Sequence, residues 1–249
     1  MRTSIGRTCG TAATPRAALL TAALLTACGG EAARTGDGAG DSARAGDSAA
    51  ATPAGDADPT RAAAGGAGVP AGYLGRTDRD GDAITNARYT PRDGGAWEVQ
   101  TGPAHVVWAA GDTASGRYTA RARLAQLEAP SHPEAFGLFV GGQDLQGPAQ
   151  RYTYFVVRGT GEYLIRVREG AGTRDVRGWT AVPAVAKQDA SGRASYDLAV
   201  RADADSTRFL VGDTPVHAVA AGTVPTDGVA GLRINHNLHL ELRPVTISR

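Results

Sequence analysis

The sequence predicts an all-β domain of two packed antiparallel sheets, and three observations carry that prediction. Between residues 116 and 170 apolar and polar side chains alternate at period two. Tyr118, Ala120, Ala122 and Leu124 fall on one side, and Arg117, Thr119, Arg121 and Arg123 on the other, as in a half-buried strand. Residues 152–158 and 162–168 are both strand-like and are separated only by Gly159, Thr160 and Gly161, a short hairpin connection. No helical period is sustained anywhere, and about a dozen short strands follow one another at the spacing of a sandwich.

The N-terminus has a different character. Arg2, Arg7 and Arg16 precede an apolar run at 17–27, too short to span a bilayer and of the right length for a secretory signal. Residues 29–70 are almost entirely Ala, Gly, Asp, Ser, Thr and Pro, which bury too little surface to offset their ordering entropy, so they are expected to form a flexible tether. The formal net charge of +1 is the balance of a basic leader (+3), an acidic tether (−3) and a nearly neutral remainder. That neutrality argues against a nucleic-acid binder. Lys187 is the only lysine among 26 basic residues, so an individual arginine says little about a site.

Leu25, Thr26, Ala27 and Cys28 follow the apolar run directly. They resemble the lipobox of bacterial lipoproteins. The resemblance implies a signal peptide over 1–27, cleavage before Cys28, and an acylated Cys28 that anchors the chain to a lipid bilayer. Cys9 is then discarded, and no disulfide supports the exported domain. Gly29 is not the Asp that retains lipoproteins at the inner membrane in many diderm bacteria, so the outer membrane is favoured. The expected organisation is 1–27 signal peptide, 28–70 lipidated cysteine and tether, and 71–249 β-sandwich.

Within the domain, Asp78, Asp80 and Asp82 alternate beside Gly81, part of a calcium-loop pattern without its bidentate Glu. A polar turn is the plainer reading, and these three are the candidates should calcium bind. Trp97 and Trp108 sit in short strands at 96–101 and 105–109 and read as core aromatics. A proline-containing loop at 128–135 leads to the apolar strand 136–140. The glycine pair Gly141 and Gly142 then suggests a bulge, or a close approach to the backbone. Residues 170–192, around Trp179, read as loop. Strands at 195–202, 207–211 and 215–219 follow, then a closing pair at 231–235 and 237–243 hinged on Asn235, His236 and Asn237. Asparagines tolerate positive φ there.

The C-terminal run SYDLAVRADADSTRFLVGDTPVHAV followed by GVAGLRINHNLHLEL resembles the end of a concanavalin A-like jelly roll of the lectin, glucanase or laminin-G type. The matching positions are Phe209, Val211, Gly212, Pro215, Val216, Gly228, Gly231, Leu232 and Arg233. The resemblance covers roughly residues 95–245 and is similar in particular to the module of 3-keto-disaccharide hydrolases. Its motifs are structural and transfer fold better than function. The paired carboxylates of family 16 glucanases, Glu-x-Asp-x-x-Glu on one strand, are absent, as are a nucleophile elbow and a P-loop.

Two sets of site candidates remain. Arg121, Arg123, Tyr152, Tyr154 and Arg166 offer ring faces and guanidinium forks for a glycan or an envelope protein. His132, Glu134 and Asp144 flank the strand 136–140 and offer a base and acid for glycoside cleavage; the plainer reading is two polar loops bonding each other. His236 and His239, three apart on a strand, face opposite ways and do not suggest a shared metal. The order of expectation is therefore a non-catalytic binding module, then a glycoside-cleaving enzyme, then a structural envelope lipoprotein.

Overall fold

The structure, a computed structural model, describes residues 65–249. The signal peptide at 1–27, Cys28 and the tether up to residue 64 lie outside the described residues. Packed chain begins slightly before residue 71. The Gly68 amide donates to the Ala87 carbonyl at 3.0 Å, and Val69 rests against the core.

Sixteen strands are described. They run β1 (Tyr73–Thr77), β2 (Arg88–Pro91), β3 (Trp97–Gln100), β4 (His105–Ala109), β5 (Thr113–Ala114), β6 (Tyr118–Gln126), β7 (Ala135–Gln143) and β8 (Arg151–Arg158). Then come β9 (Glu162–Glu169), β10 (Gly172–Ala181), β11 (Ala194–Ala202), β12 (Ser206–Val211), β13 (Thr214–Ala220), β14 (Gly228–Ile234), β15 (His239–Leu242) and β16 (Thr246–Ser248). Only two single-turn 3-10 segments, Ile84–Asn86 and Asp93–Gly95, interrupt them. One sheet has the order β1-β4-β14-β7-β8-β9-β10 with β5 attached to β14; the other has β13-β12-β11-β6-β15-β3-β2 with β16 attached to β6. Every strand pair is antiparallel, so the predicted all-β two-sheet sandwich is the observed architecture.

Period-two alternation places the core between the sheets. Tyr118, Ala120, Ala122 and Leu124 of β6 meet Leu198 and Val200 of β11 and Leu240 and Leu242 of β15 on one side. Val107, Leu138, Phe155, Val157, Ile165 and Leu232 come from the opposing sheet. Phe209 is fully buried and edges onto Phe155 at 5.6 Å between ring centres.

The first sheet departs from simple alternation. On β4, β7, β8 and β9 the residues between the core positions are also buried: Val106, Trp108, Phe139, Tyr152, Tyr154, Val156 and Leu164 form a second apolar cluster on the face turned away from the core. A strand apolar on both faces reads as a continuous hydrophobic run, which is what AFGLFV in β7 is. Trp108 therefore belongs to this second layer, whereas Trp97 lies in the main core.

The glycine pair in β7 does what its sequence suggests. The β7–β8 register shifts between Val140 and Gln143, and Gly141 has φ 68°. A Cβ there would lie 2.5 Å from the Pro225 carbonyl oxygen, so the close neighbour is the backbone leading into β14. Residues 172–181, expected to be loop, form the ten-residue edge strand β10 paired with β9. Its side chains are mostly exposed on both faces, which erases the alternation that marks the other strands. Trp179 is one of two large apolar residues left exposed among those described, with the Arg158 guanidinium 4.1 Å from its ring centre.

His105 shows how the core handles a polar side chain. Its Nδ1–H donates to the Pro103 carbonyl at 2.9 Å, which leaves Nε2 to accept from the Tyr89 hydroxyl. Burial pulls its pKa down to about 4. The unfolded chain, with an ordinary imidazole, therefore takes up this proton first, and stability drains as pH falls from about 6.5 towards 4. At about 1.36 kcal/mol per pH unit the full effect is roughly 3 kcal/mol. Denaturant unfolding of the parent and of His105→Gln at pH 7 and pH 4.5 should show the parent losing more stability than the variant. In the same assay Phe209→Ala should cost about 3–5 kcal/mol, while Gly111→Ala, with open space around the added methyl, should be nearly neutral.

Candidate functional site

The antiparallel pairing of β7 and β14 sets Phe136 opposite Ile234 and Gly137 opposite Arg233. The start of β7 thus lies beside the end of β14, and the Asn235 amide extends the ladder to the Ala135 carbonyl at 2.9 Å. Consequently the residues just before β7, at 131–134, and just after β14, at 235–237, share one rim of the sandwich. His132 and Glu134 are two apart in the loop before β7, and their side chains turn to the same side and meet. Asn237, at φ 58°, reverses the chain between β14 and β15 and presents His236 to them.

Three donor atoms converge there. The Nε2 of His132 is 2.7 Å from the Oε1 of Glu134 and 3.3 Å from the Nε2 of His236, and His236 Nε2 is 3.2 Å from the same carboxylate oxygen. Glu134 is buried, while both histidines keep about a quarter of their side chains exposed. Neighbours fix the orientation. Asn235 Nδ2 donates to Glu134 Oε2 at 2.8 Å, His132 Nδ1 is 3.2 Å from Ser131 Oγ, and Asn237 Nδ2 donates to that Oγ at 2.6 Å.

A cleft of about 210 Å³ adjoins this cluster, lined by Asp78, Arg79, Asp82, Ala104, Arg233, Asn235 and His236. Arg233 anchors it. Its guanidinium is buried, pairs with Asp78, donates to the carbonyls of His105 and Ile234 at 3.1 Å, and stands 5.8 Å from the ring centre of Tyr154. Asp78 is thus committed to Arg233. Asp80 is exposed, and the turn is closed by the Thr77 hydroxyl near the carbonyls of Arg79 and Asp82 at 3.2 Å. The three aspartates form a polar turn and do not converge as a calcium cage.

The other predicted residues are dispersed. Asp144 follows the far end of β7, roughly 30 Å from Glu134 at about 3.3 Å per residue over nine residues. It closes its own loop by accepting from the Ala149 amide at 2.9 Å, so His132, Glu134 and Asp144 do not form one site. Two loops that flank one strand are neighbours in sequence, but they lie at opposite ends of it in space. Arg121 and Arg123 project from the outer face of the second sheet onto Asp197, at 2.9 and 3.4 Å. Tyr152, Tyr154 and Arg166 belong to the first sheet, and Arg166 pairs with Asp175. The five proposed ligand residues therefore occupy two different sheets. The tyrosine rings are buried in the second cluster, and burial pushes both phenols up, Tyr152 to about 12, so each stays a neutral hydroxyl.

His236, which the sequence weighs only against His239, joins His132 and Glu134 at this rim. The usable signal is positional: it follows closely on the strand that pairs with β7. His239 is committed elsewhere, to Glu98 at 2.8 Å and Glu128 at 3.2 Å.

No family model matches this sequence, and no curated protein matches it either. Solved structures do. A family 16 glycoside hydrolase from Bacteroides ovatus, in complex with a mixed-linkage glucan product, aligns with a TM-score of 0.51 at 10% identity, over 71% of this chain and 94% of that one. The fold is a concanavalin A-like jelly roll. A family 16 endo-glucanase from Bacteroides ovatus aligns over the same shares at 10% identity with a TM-score of 0.50. This jelly roll lacks the glucanase carboxylate motif, and its polar groups gather at the rim between β7 and β14.

Arg233 supplies a direct test of the cleft's architecture. Asp78→Asn leaves a buried guanidinium without its counter-charge, and the expected loss is roughly 2–3 kcal/mol, below that of a wholly buried pair because the Asp78 side chain is 26% exposed. Equilibrium urea unfolding measures it; a loss below about 0.5 kcal/mol would mean that Arg233 is held by its two carbonyl acceptors alone.

Proposed function

We propose that the chain is an exported lipoprotein whose jelly roll binds a glycan, in the rim cleft between the turn at 78–82 and Asn235–His236, without cleaving it. The single observation that carries this reading is the lining of that cleft: three carboxylate or guanidinium side chains besides Arg233, an amide and an imidazole, with Ala104 as the only apolar side chain. Planar carboxylate, guanidinium and amide groups can each make paired hydrogen bonds to vicinal hydroxyls. Sugars present such hydroxyls, and a cleft near 200 Å³ suits one ring. The two Bacteroides ovatus enzymes, one in complex with a mixed-linkage glucan product and the other an endo-glucanase, support a sugar on this fold.

The sequence-based address completes the proposal. Cleavage before Cys28 and acylation of its thiol and amino group would anchor the protein in a bilayer, the outer membrane in preference to the inner, with the tether extending the jelly roll away from it. The partner is then an envelope or environmental polysaccharide.

A second reading, glycoside cleavage, is favoured by one observation: Glu134 is buried between two imidazoles beside the cleft. In that case Glu134→Gln abolishes turnover of the bound sugar without lowering the melting temperature.

The full chain, purified in detergent and applied to a glycan array, should retain a defined set of sugars. Arg79→Ala and Asp82→Ala should each weaken binding at least about tenfold, the scale of one charge-assisted hydrogen bond, while Arg123→Ala on the other sheet leaves it unchanged. Equal binding by all three variants overturns the cleft as the glycan site, and silence across the array overturns glycan binding altogether and leaves a structural envelope lipoprotein.

A further inference from the structure

The geometry points to a second site: we propose that His132, Glu134 and His236 bind a divalent transition-metal ion of the zinc class. The proposal does not rest on the glycan reading, because it follows from the donor atoms alone.

The distances carry the argument. Nε2 of His132, Nε2 of His236 and Oε1 of Glu134 form a triangle with edges of 3.3, 3.2 and 2.7 Å. A triangle with these edges has a circumradius of about 1.8 Å, shorter than the roughly 2.0–2.1 Å of Zn–N and Zn–O bonds. One point about 1 Å off its plane is therefore at bonding distance from all three atoms with none of them moving. Two edges already approach the roughly 3.3–3.5 Å that tetrahedral zinc imposes between ligands.

The donor chemistry and its surroundings agree. Two imidazole nitrogens with one carboxylate suit zinc and its first-row neighbours, whereas calcium and magnesium take oxygen. A ligating imidazole must carry its proton on the other nitrogen. For His132 that nitrogen, Nδ1, faces Ser131 Oγ at 3.2 Å, an acceptor held in place by Asn237. Glu134 is likewise aimed: Asn235 takes its Oε2 and leaves Oε1 for the cluster. These are the outer contacts that orient ligands in metal sites.

Function follows from the position. Three protein ligands leave the rest of the coordination sphere to water or to a donor from outside, and His236 also lines the cleft. An ion here ties the loop before β7 to the turn after β14.

The test uses the full chain, stripped with EDTA and dialysed, then titrated with zinc chloride by calorimetry, with metal analysis after gel filtration. About one zinc per chain is expected, with a higher melting temperature. His236→Ala and Glu134→Gln should weaken binding at least about 100-fold, and Asn235→Ala, which keeps all three ligands, about tenfold. Cobalt should give the intense visible absorption of a tetrahedral site in the parent and lose it in His236→Ala. Circular dichroism and the melting temperature in EDTA establish that each variant is folded. Failure of the stripped parent to take up zinc overturns the proposal. So does zinc held equally by folded His236→Ala, which would place the metal on other groups. Both results leave the glycan assay untouched.

Discussion

Everything at the rim between β7 and β14 depends on the register of β14 against β7. Arg233 sits opposite Gly137 and Val106, in a row where side chains cross three neighbouring strands. Gly137 cannot be replaced without cost, since a Cβ there would lie 2.1 Å from the Phe155 carbonyl oxygen. Gly231 is as tightly held, because a methyl group added to it would meet the Val107 carbonyl oxygen at 2.4 Å. A shift by one residue would send Arg233 into the apolar core and its neighbours Leu232 and Ile234 out of it. The register is thus fixed by hydrophobic alternation on one face and by backbone crowding on the other. With it fixed, residues 131–134 and 235–237 have no alternative but to meet.

That crowding also explains why the two sheets differ. The second sheet has a conventional polar outer face, where Arg121, Arg123 and Asp197 pair in solvent and contribute little to stability. The first sheet is apolar on both faces along β4, β7 and β8, and its one buried arginine among the described residues, Arg233, lies where the second cluster gives way to the polar rim. Burying a guanidinium is costly unless its donors find acceptors, and Arg233 meets that condition with Asp78 and two carbonyls. The turn at 78–82 is consequently held against the end of β14, and the cleft exists because that ion pair does.

The sequence displayed the fold far better than the site, for physical reasons visible in particular residues. Alternation in β6, the hairpin around Gly161 and the leucines of β15 are local patterns, legible without knowing what lies opposite. β10 escapes detection because an edge strand exposed on both sides has no reason to alternate. Tyr152 and Tyr154 read as surface aromatics because a strand with one core face normally shows water the other; here a second apolar layer encloses them. His132 and Glu134 are two apart in sequence and can be paired on sight. His236 lies 104 positions from His132, and only the strand order joins them.

The same reasoning weighs the rim against the sheet face as the seat of function. A tyrosine ring that is 2% exposed, as Tyr152 is, cannot stack on a ligand, and Arg166 is already matched by Asp175. The groups of the first-sheet face are thus internally satisfied, and satisfied groups gain little from a partner. At the rim two imidazoles and a carboxylate converge within hydrogen-bond distance beside a cleft lined with polar planes. Such a gathering is costly to desolvate and adds nothing to the core. The jelly roll is already held by two apolar layers, so the cluster is not needed for the core, and that is the ground for reading it as a binding site.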